Sequence, residues 1–142
     1  MGIRDQIIPA RFLLTLGHFV SVCLITYTKE DNIYAVHNSA TSKQKSDAVY
    51  EIQAAVNVAI VCFCFDFIGM FSGSSLFMNK VNLLQCLVHF IGGVLVSTFI
   101  HDSWAFTTLW PLVLAFNITT AVVELGVLFA VHILKVVMYG GD

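Results

Sequence analysis

The chain has 142 residues, 58% of them hydrophobic, 13% aromatic and only 11% charged, with a net charge of −2 and a mean hydropathy of +0.84. A soluble domain carries about 45–50% apolar and about 25% charged residues, so a globule solvated by water alone is excluded. Seven Lys and Arg against nine Asp and Glu offer no basic face to phosphates, which argues against a nucleic-acid partner and leaves a small multi-span membrane protein of one domain.

A span needs roughly 20 mostly apolar residues, because about 1.5 Å of rise per residue must cover about 30 Å of hydrocarbon. The first such stretch covers about 10–28, free of charge from Phe12 to Thr28 and bounded by Arg11, with Pro9 suited to a helix start. It exceeds the apolar core of a cleaved leader and no small-residue cleavage site follows Thr28. The start Met1-Gly2-Ile3-Arg4-Asp5-Gln6 lacks the Ser or Thr that myristoylation requires. A polar outer loop, 29–51, follows and holds Lys29, Glu30, Asp31, Lys43, Lys45, Asp47 and Glu51. The second span covers about 52–72 and contains Asp66; Gly73 to Lys80 is a short turn rich in Gly and Ser. The third covers 81–100 without a charge, and 101–104 is a tight turn. The fourth covers about 105–134 and contains Glu124; its extra length implies tilt or a first turn at the interface. Short connectors make neighbouring spans antiparallel. The expected fold is an all-α membrane protein, a four-helix transmembrane bundle with up-down-up-down topology, in a single domain over 1–142.

Four spans put both termini on one side. The cytosol is the favoured side, because Arg4 and Arg11 flank the first helix. Tyr27, Tyr34, Tyr50, Trp104 and Trp110 then gather at the outer interface as an aromatic belt. Cys23, Cys62, Cys64 and Cys86 all fall in apolar runs and read as small hydrophobes rather than a disulfide framework. The glycosylation pattern Asn117-Ile118-Thr119 lies inside the fourth span and is discounted on that ground.

Ionisable groups inside a bilayer are costly, about 2.5–3.5 kcal/mol on insertion scales, so they turn toward protein or water. Away from the span ends these are His18, Asp66, His89 and Glu124, one per helix. Counted from Arg11, Gly73, Lys80 and Lys135, they lie at similar depth, roughly 10–17 Å from the cytosolic boundary. In the second span Ala55, Ala59, Cys62, Asp66, Gly69 and Gly73 follow a 4-3-4-3-4 spacing, one stripe of small or polar residues for helix contact. Gly69 and Gly73 are both expected to resist replacement by Leu for this reason. In the third span Asn82, Gln85, His89 and Gly92 share a face; in the fourth Asn117, Thr120 and Glu124 do; in the first Thr15 neighbours His18.

The favoured reading of the polar cluster is structural, with carboxylate–imidazole hydrogen bonds fixing register where lipid supplies no hydrophobic drive. At least one of Asp66 and Glu124 is then expected within hydrogen-bond or one-water reach of His18 or His89. A proton, ion or solute path is the alternative. A metal site has no HxxxH or ExxH spacing behind it, so no metal is expected; a lipid headgroup or sterol pocket is a further reading. No Gly-rich phosphate loop, GxSxG, HExxH or paired CxxC occurs, so no enzyme and no cofactor is expected.

Several segments together resemble a known family. Pro9-Ala10-Arg11-Phe12-Leu13 opens the first span, and Phe71-Ser72-Gly73-Ser74-Ser75-Leu76-Phe77 closes the second. Trp104-x-x-Thr107-Thr108-x-Trp110 opens the fourth, and Thr120 to Phe129 carries Glu124. With His18 and His89, this pattern from Pro9 to Phe129 resembles the transmembrane protein 107 family of small tetraspan proteins. Asp66 stands where members of that family resemble a Glu. The resemblance implies a scaffold in the membrane of the ciliary transition zone, within the Meckel-syndrome module. It also implies partners among other transition-zone membrane proteins of the Meckel-syndrome and tectonic type, alongside membrane lipids.

Overall fold

The computed structural model describes residues 3–36, 41–76 and 78–135. Three long helices come first: α1 (Ile3–Tyr34), α2 (Ser42–Phe71) and α3 (Asn79–His101). The fourth crossing, Phe106–His132, is built in pieces. It has a 3-10 turn (Phe106–Thr108), α4 (Leu109–Leu112), a π-helical stretch (Val113–Ile118) and α5 (Thr119–His132). All four crossings are long and apolar enough to traverse a bilayer. Arg11, near the start of α1, meets Ser75 in the turn after α2, Asn82 at the start of α3 and Glu124 in the later part of the fourth crossing, so neighbours run antiparallel.

Two expectations need correcting at the helix ends. Pro9 does not start α1 but lies inside it, after Ile3 has begun the helix. As the seventh residue of α1 it lies past the first turn, so its missing N–H costs the helix one i→i−4 hydrogen bond there. The segment expected as a loop over 29–51 is mostly helix, because α1 runs to Tyr34 and α2 starts at Ser42. Its Lys, Glu, Gln and Ala residues are good helix formers, and Thr41 supplies a start signal. The Thr41 side chain accepts from Gln44 N, while Gln44 Oε1 accepts from Thr41 N at 3.0 Å. Lys45 Nζ then lies 4.6 Å from the ring centre of Tyr34 across the connection.

The helix stops are equally local. Gly73 sits just past α2 at φ +76°, in the left-handed region that ends a helix, and its N–H reaches Met70 O. Gly73 is therefore not part of the contact stripe along α2: it lies in the turn, with no neighbour within 4 Å of where a Cβ would stand. Phe77, at the far side of this turn, lies outside the described residues. At the end of α3, Ser103 takes the left-handed position at φ 48° and Trp104 N bonds back to Phe99 O at 3.1 Å. Buried Asn32 of α1 donates Nδ2 to both Phe99 O (2.9 Å) and Trp104 O (2.8 Å), tying the two helix ends together. The π stretch follows Pro111, whose missing N–H leaves the preceding turn without an α-helical partner.

The interior is divided along its length. Toward the α1–α2 connection it is apolar, built on Val22, Ile25, Ile52, Ala55, Val56, Ala59, Phe63, Val96, Phe99, Leu109 and Val113. The aromatic residues Tyr27, Tyr34, Tyr50, Trp104 and Trp110 belong to this end. Toward the α2–α3 turn it is polar: Arg11, Thr15, His18, Asp66, Ser75, Asn82, Gln85, His89, Asn117, Thr120 and Glu124 are all buried. Lipid tails are as apolar as Leu, so the first half packs mainly by van der Waals contact, with buried Asn32 as its hydrogen-bonding tie. The second half holds most of the directional bonds.

Candidate functional site: a buried ionic lock and an imidazole–carboxylate chain

On α1 the buried residues Arg11, Thr15, His18, Val22 and Ile25 follow a 4-3-4-3 spacing, one continuous stripe. Arg11 is 1% exposed, not a flanking charge at the boundary. Its Nη2 lies 3.0 Å from Glu124 Oε2, and Glu124 is itself 0% exposed. Arg11 Nη1 donates to Ser75 Oγ at 2.9 Å and to Asn82 Oδ1 at 2.7 Å. Ser75 Oγ in turn donates to Glu124 Oε1. Gln85 Nε2 reaches Glu124 Oε2 (3.3 Å) and Thr120 O (3.2 Å). Asn82 Nδ2 donates to Leu76 O at 2.6 Å, pinning the turn that carries Ser75.

Helix α2 contributes an absence of side chain. A Cβ built at Gly69 would collide with the carboxylate of Glu124. Gly69 is thus the seat of that carboxylate, and the lock draws on all four crossings. Ala55, Ala59 and Cys62 continue the same inward stripe of α2, all buried.

One turn along α2 and α5 lies a second group. Thr120 Oγ1 donates to Asp66 Oδ2 at 2.9 Å. The same oxygen lies 3.5 Å from His89 Nε2. His89 Nδ1 lies 3.2 Å from His18 Nδ1, so one of the two imidazoles donates to the other. Phe63 is fitted against both rings, edge-on to His18 and stacked on His89. A Cβ at Gly92 would stand 2.6 Å from His18 Cε1, so this glycine makes room for that ring. An open groove of about 450 Å³ between α1 and α3 reaches both histidines, past Gly17, Ser21, Gly93 and Ser97.

The four residues expected at one depth therefore separate. His18, Asp66 and His89 form a chain, while Glu124 belongs to the lock and is held by Arg11. Sequence reasoning missed Arg11 because a basic residue beside an apolar run resembles a boundary marker. The signal was there: Arg11 is one heptad before His18, on the stripe that buries Thr15. Asn117 lies buried in the π stretch, out of reach of any modifying enzyme in the folded chain. Among the described residues no three of His, Cys, Asp and Glu come together as a metal-holding group.

Four apolar helices closed around an internal ion pair define a multi-pass, all-α membrane protein. A family model described as transmembrane protein (TMEM107) matches residues 7–128, and the chain belongs to the transmembrane protein 107 family. It is 29% identical to transmembrane protein 107 of Homo sapiens over 136 residues, covering 95% of this chain and 97% of that protein. It is 30% identical to that of Rattus norvegicus over 136 residues, with 95% and 97% covered. It is 27% identical to that of Danio rerio over 135 residues, with 94% and 100% covered. No solved structure matches the chain.

Proposed function

We propose that this chain is a non-enzymatic membrane scaffold of the ciliary transition zone, needed for cilium assembly and for control of which membrane proteins the cilium contains. Its partners are other transition-zone membrane proteins of the Meckel-syndrome and tectonic type, and both termini face the cytosol. Family membership supports this reading through the role that the resemblance implies. The observation that carries it is the lock at Arg11–Glu124, whose charges are spent on one another and on Ser75, Asn82 and Gln85. A bundle held shut this way acts through its outer surface.

The groove that reaches His18 and His89 favours a second reading, a small proton, ion or solute carrier. Two measurements separate the readings. A tagged copy in ciliated cells is expected in a ring at the base of the cilium; diffuse plasma-membrane signal would overturn the scaffold proposal. Purified protein in liposomes is expected to pass no more protons than empty vesicles. Acid-dependent flux abolished by Asp66→Asn or Glu124→Gln would establish the carrier instead.

A further inference from the structure

The outward faces of the helices carry several hydroxyls. Thr28 Oγ1 donates to Leu24 O at 3.3 Å, Ser97 Oγ to Gly93 O at 2.7 Å and Thr119 Oγ1 to Leu114 O at 3.3 Å. Each returns its proton to its own helix and asks nothing of the lipid. A carboxamide is not fully satisfied in this way, because it has two N–H donors as well as an acceptor. Beyond Ile52, in its apolar stretch, helix α2 exposes one such group, Asn57. Gln53 Nε2 donates to Asn57 Oδ1 at 3.1 Å, and among the described residues neither side chain makes another hydrogen bond. The amide N–H groups of Asn57 and Oε1 of Gln53 are left unspent. At about 1.5 Å per residue, Asn57 lies about 8 Å inside the start of the span at Ile52. Hydrocarbon offers it no partner.

The inward face of α2 is already filled by Ala55, Ala59, Cys62 and Asp66. Its outward face presents Tyr50, Ala54, Asn57, Val61, Cys64 and Ile68, all exposed. Any helix shows such a periodic outer face; the carboxamide within it is what distinguishes α2. We propose that this face is the interface of a homodimer, in which Asn57 pairs with Asn57 of a second copy. A carboxamide is both donor and acceptor, so two of them satisfy each other across a two-fold axis. Copies inserted with the same topology can share only an axis along the membrane normal. Their α2 helices then run parallel, and each seam residue meets its own counterpart. Ala54, one turn away, lets the two backbones approach at the level of the amides. Cys64 lies one heptad beyond Asn57 on the same seam and faces its counterpart across the dimer.

That cysteine supplies the test. The full chain with Cys23, Cys62 and Cys86 replaced by Ala is placed in phosphatidylcholine vesicles and oxidised with copper phenanthroline. The expected product is a reducible dimer through Cys64. Moving the cysteine to Val61 or Ile68 keeps it, and moving it to Leu87 on the outward face of α3 loses it. In parallel, energy transfer between tagged copies with all native cysteines should show roughly tenfold weaker association for Asn57→Leu. Absence of the Cys64 dimer, an equal yield at Leu87, or undiminished transfer in Asn57→Leu would each overturn the proposal. So would capture of a different protein at Cys64 in cell membranes in place of a second copy.

Discussion

Arg11 and Glu124 stand 113 positions apart in the chain and 3.0 Å apart in the fold. Each is surrounded by protein, at 1% and 0% exposure. Removing one partner strands the other's charge, which in buried pairs costs about 3–5 kcal/mol. Arg11→Leu and Glu124→Leu are each expected to lower the unfolding midpoint in detergent sharply. The double variant is expected to recover most of the loss, since no charge is then left alone. A double variant as unstable as the sum of the singles would mean the two residues act independently.

The same lock sets an order among glycines. Gly69→Ala pushes a methyl into the carboxylate of Glu124, which Arg11, Ser75 and Gln85 hold in place. Overpacking of this kind costs about 1–3 kcal/mol. Gly73→Ala meets no neighbour but must hold φ +76°, a strain of about 1–2 kcal/mol for a residue with a Cβ. Gly126→Ala meets nothing and needs no unusual backbone, so it should be neutral or slightly stabilising by helix propensity. Thermal unfolding of the three variants checks the ranking, and Gly69 alone should couple to Glu124→Leu.

The helical crossings, the inward stripe of α2 and the polar faces of α3 and the fourth crossing were readable from period and composition. What escaped was the position of charges relative to the bilayer. Sequence hydropathy treats any Arg beside an apolar run as an end marker, yet a residue's depth depends on whether a partner awaits it. Glu124 was that partner, on a helix more than a hundred positions away, and one-dimensional counting could not bring them together. The α1–α2 connection was misjudged for a different reason. Its charge suggested solvent, which is compatible with helix, and the Thr41–Gln44 cap was the local sign that the helix continues beyond the membrane.

Thr120 tests the second polar group. Its hydroxyl is the one hydrogen-bond donor to Asp66 among the described residues, at 2.9 Å. Thr120→Val keeps the shape and removes that donor. Hydrogen bonds in membrane bundles average about 0.6 kcal/mol in double-mutant cycles, because the separated helices find other partners. Leaving a buried group unsatisfied costs about 1–3 kcal/mol. A loss above about 1 kcal/mol that vanishes in the Asp66→Asn background, measured by unfolding in detergent, would locate the cost at Asp66. The same loss in both backgrounds would place it in the Thr120 contacts to Phe116 O and Asn117 O instead.

Asn32 gives a local prediction at the opposite end of the bundle. Its Nδ2 caps two carbonyls of the turn that ends α3, Phe99 O and Trp104 O, and it is fully buried. Asn32→Leu leaves both carbonyls without that donor, at a cost of about 1–3 kcal/mol. The ionic lock at Arg11 lies at the other end of α1 and shares no partner with it, so the effects should add. Hydrogen exchange distinguishes local from global loosening. The amide of Trp104, bonded to Phe99 O, should exchange faster in Asn32→Leu, while amides beside Gln85 and Glu124 keep their protection. Uniform acceleration along the chain would mean that the outer tie supports the entire bundle rather than this one turn.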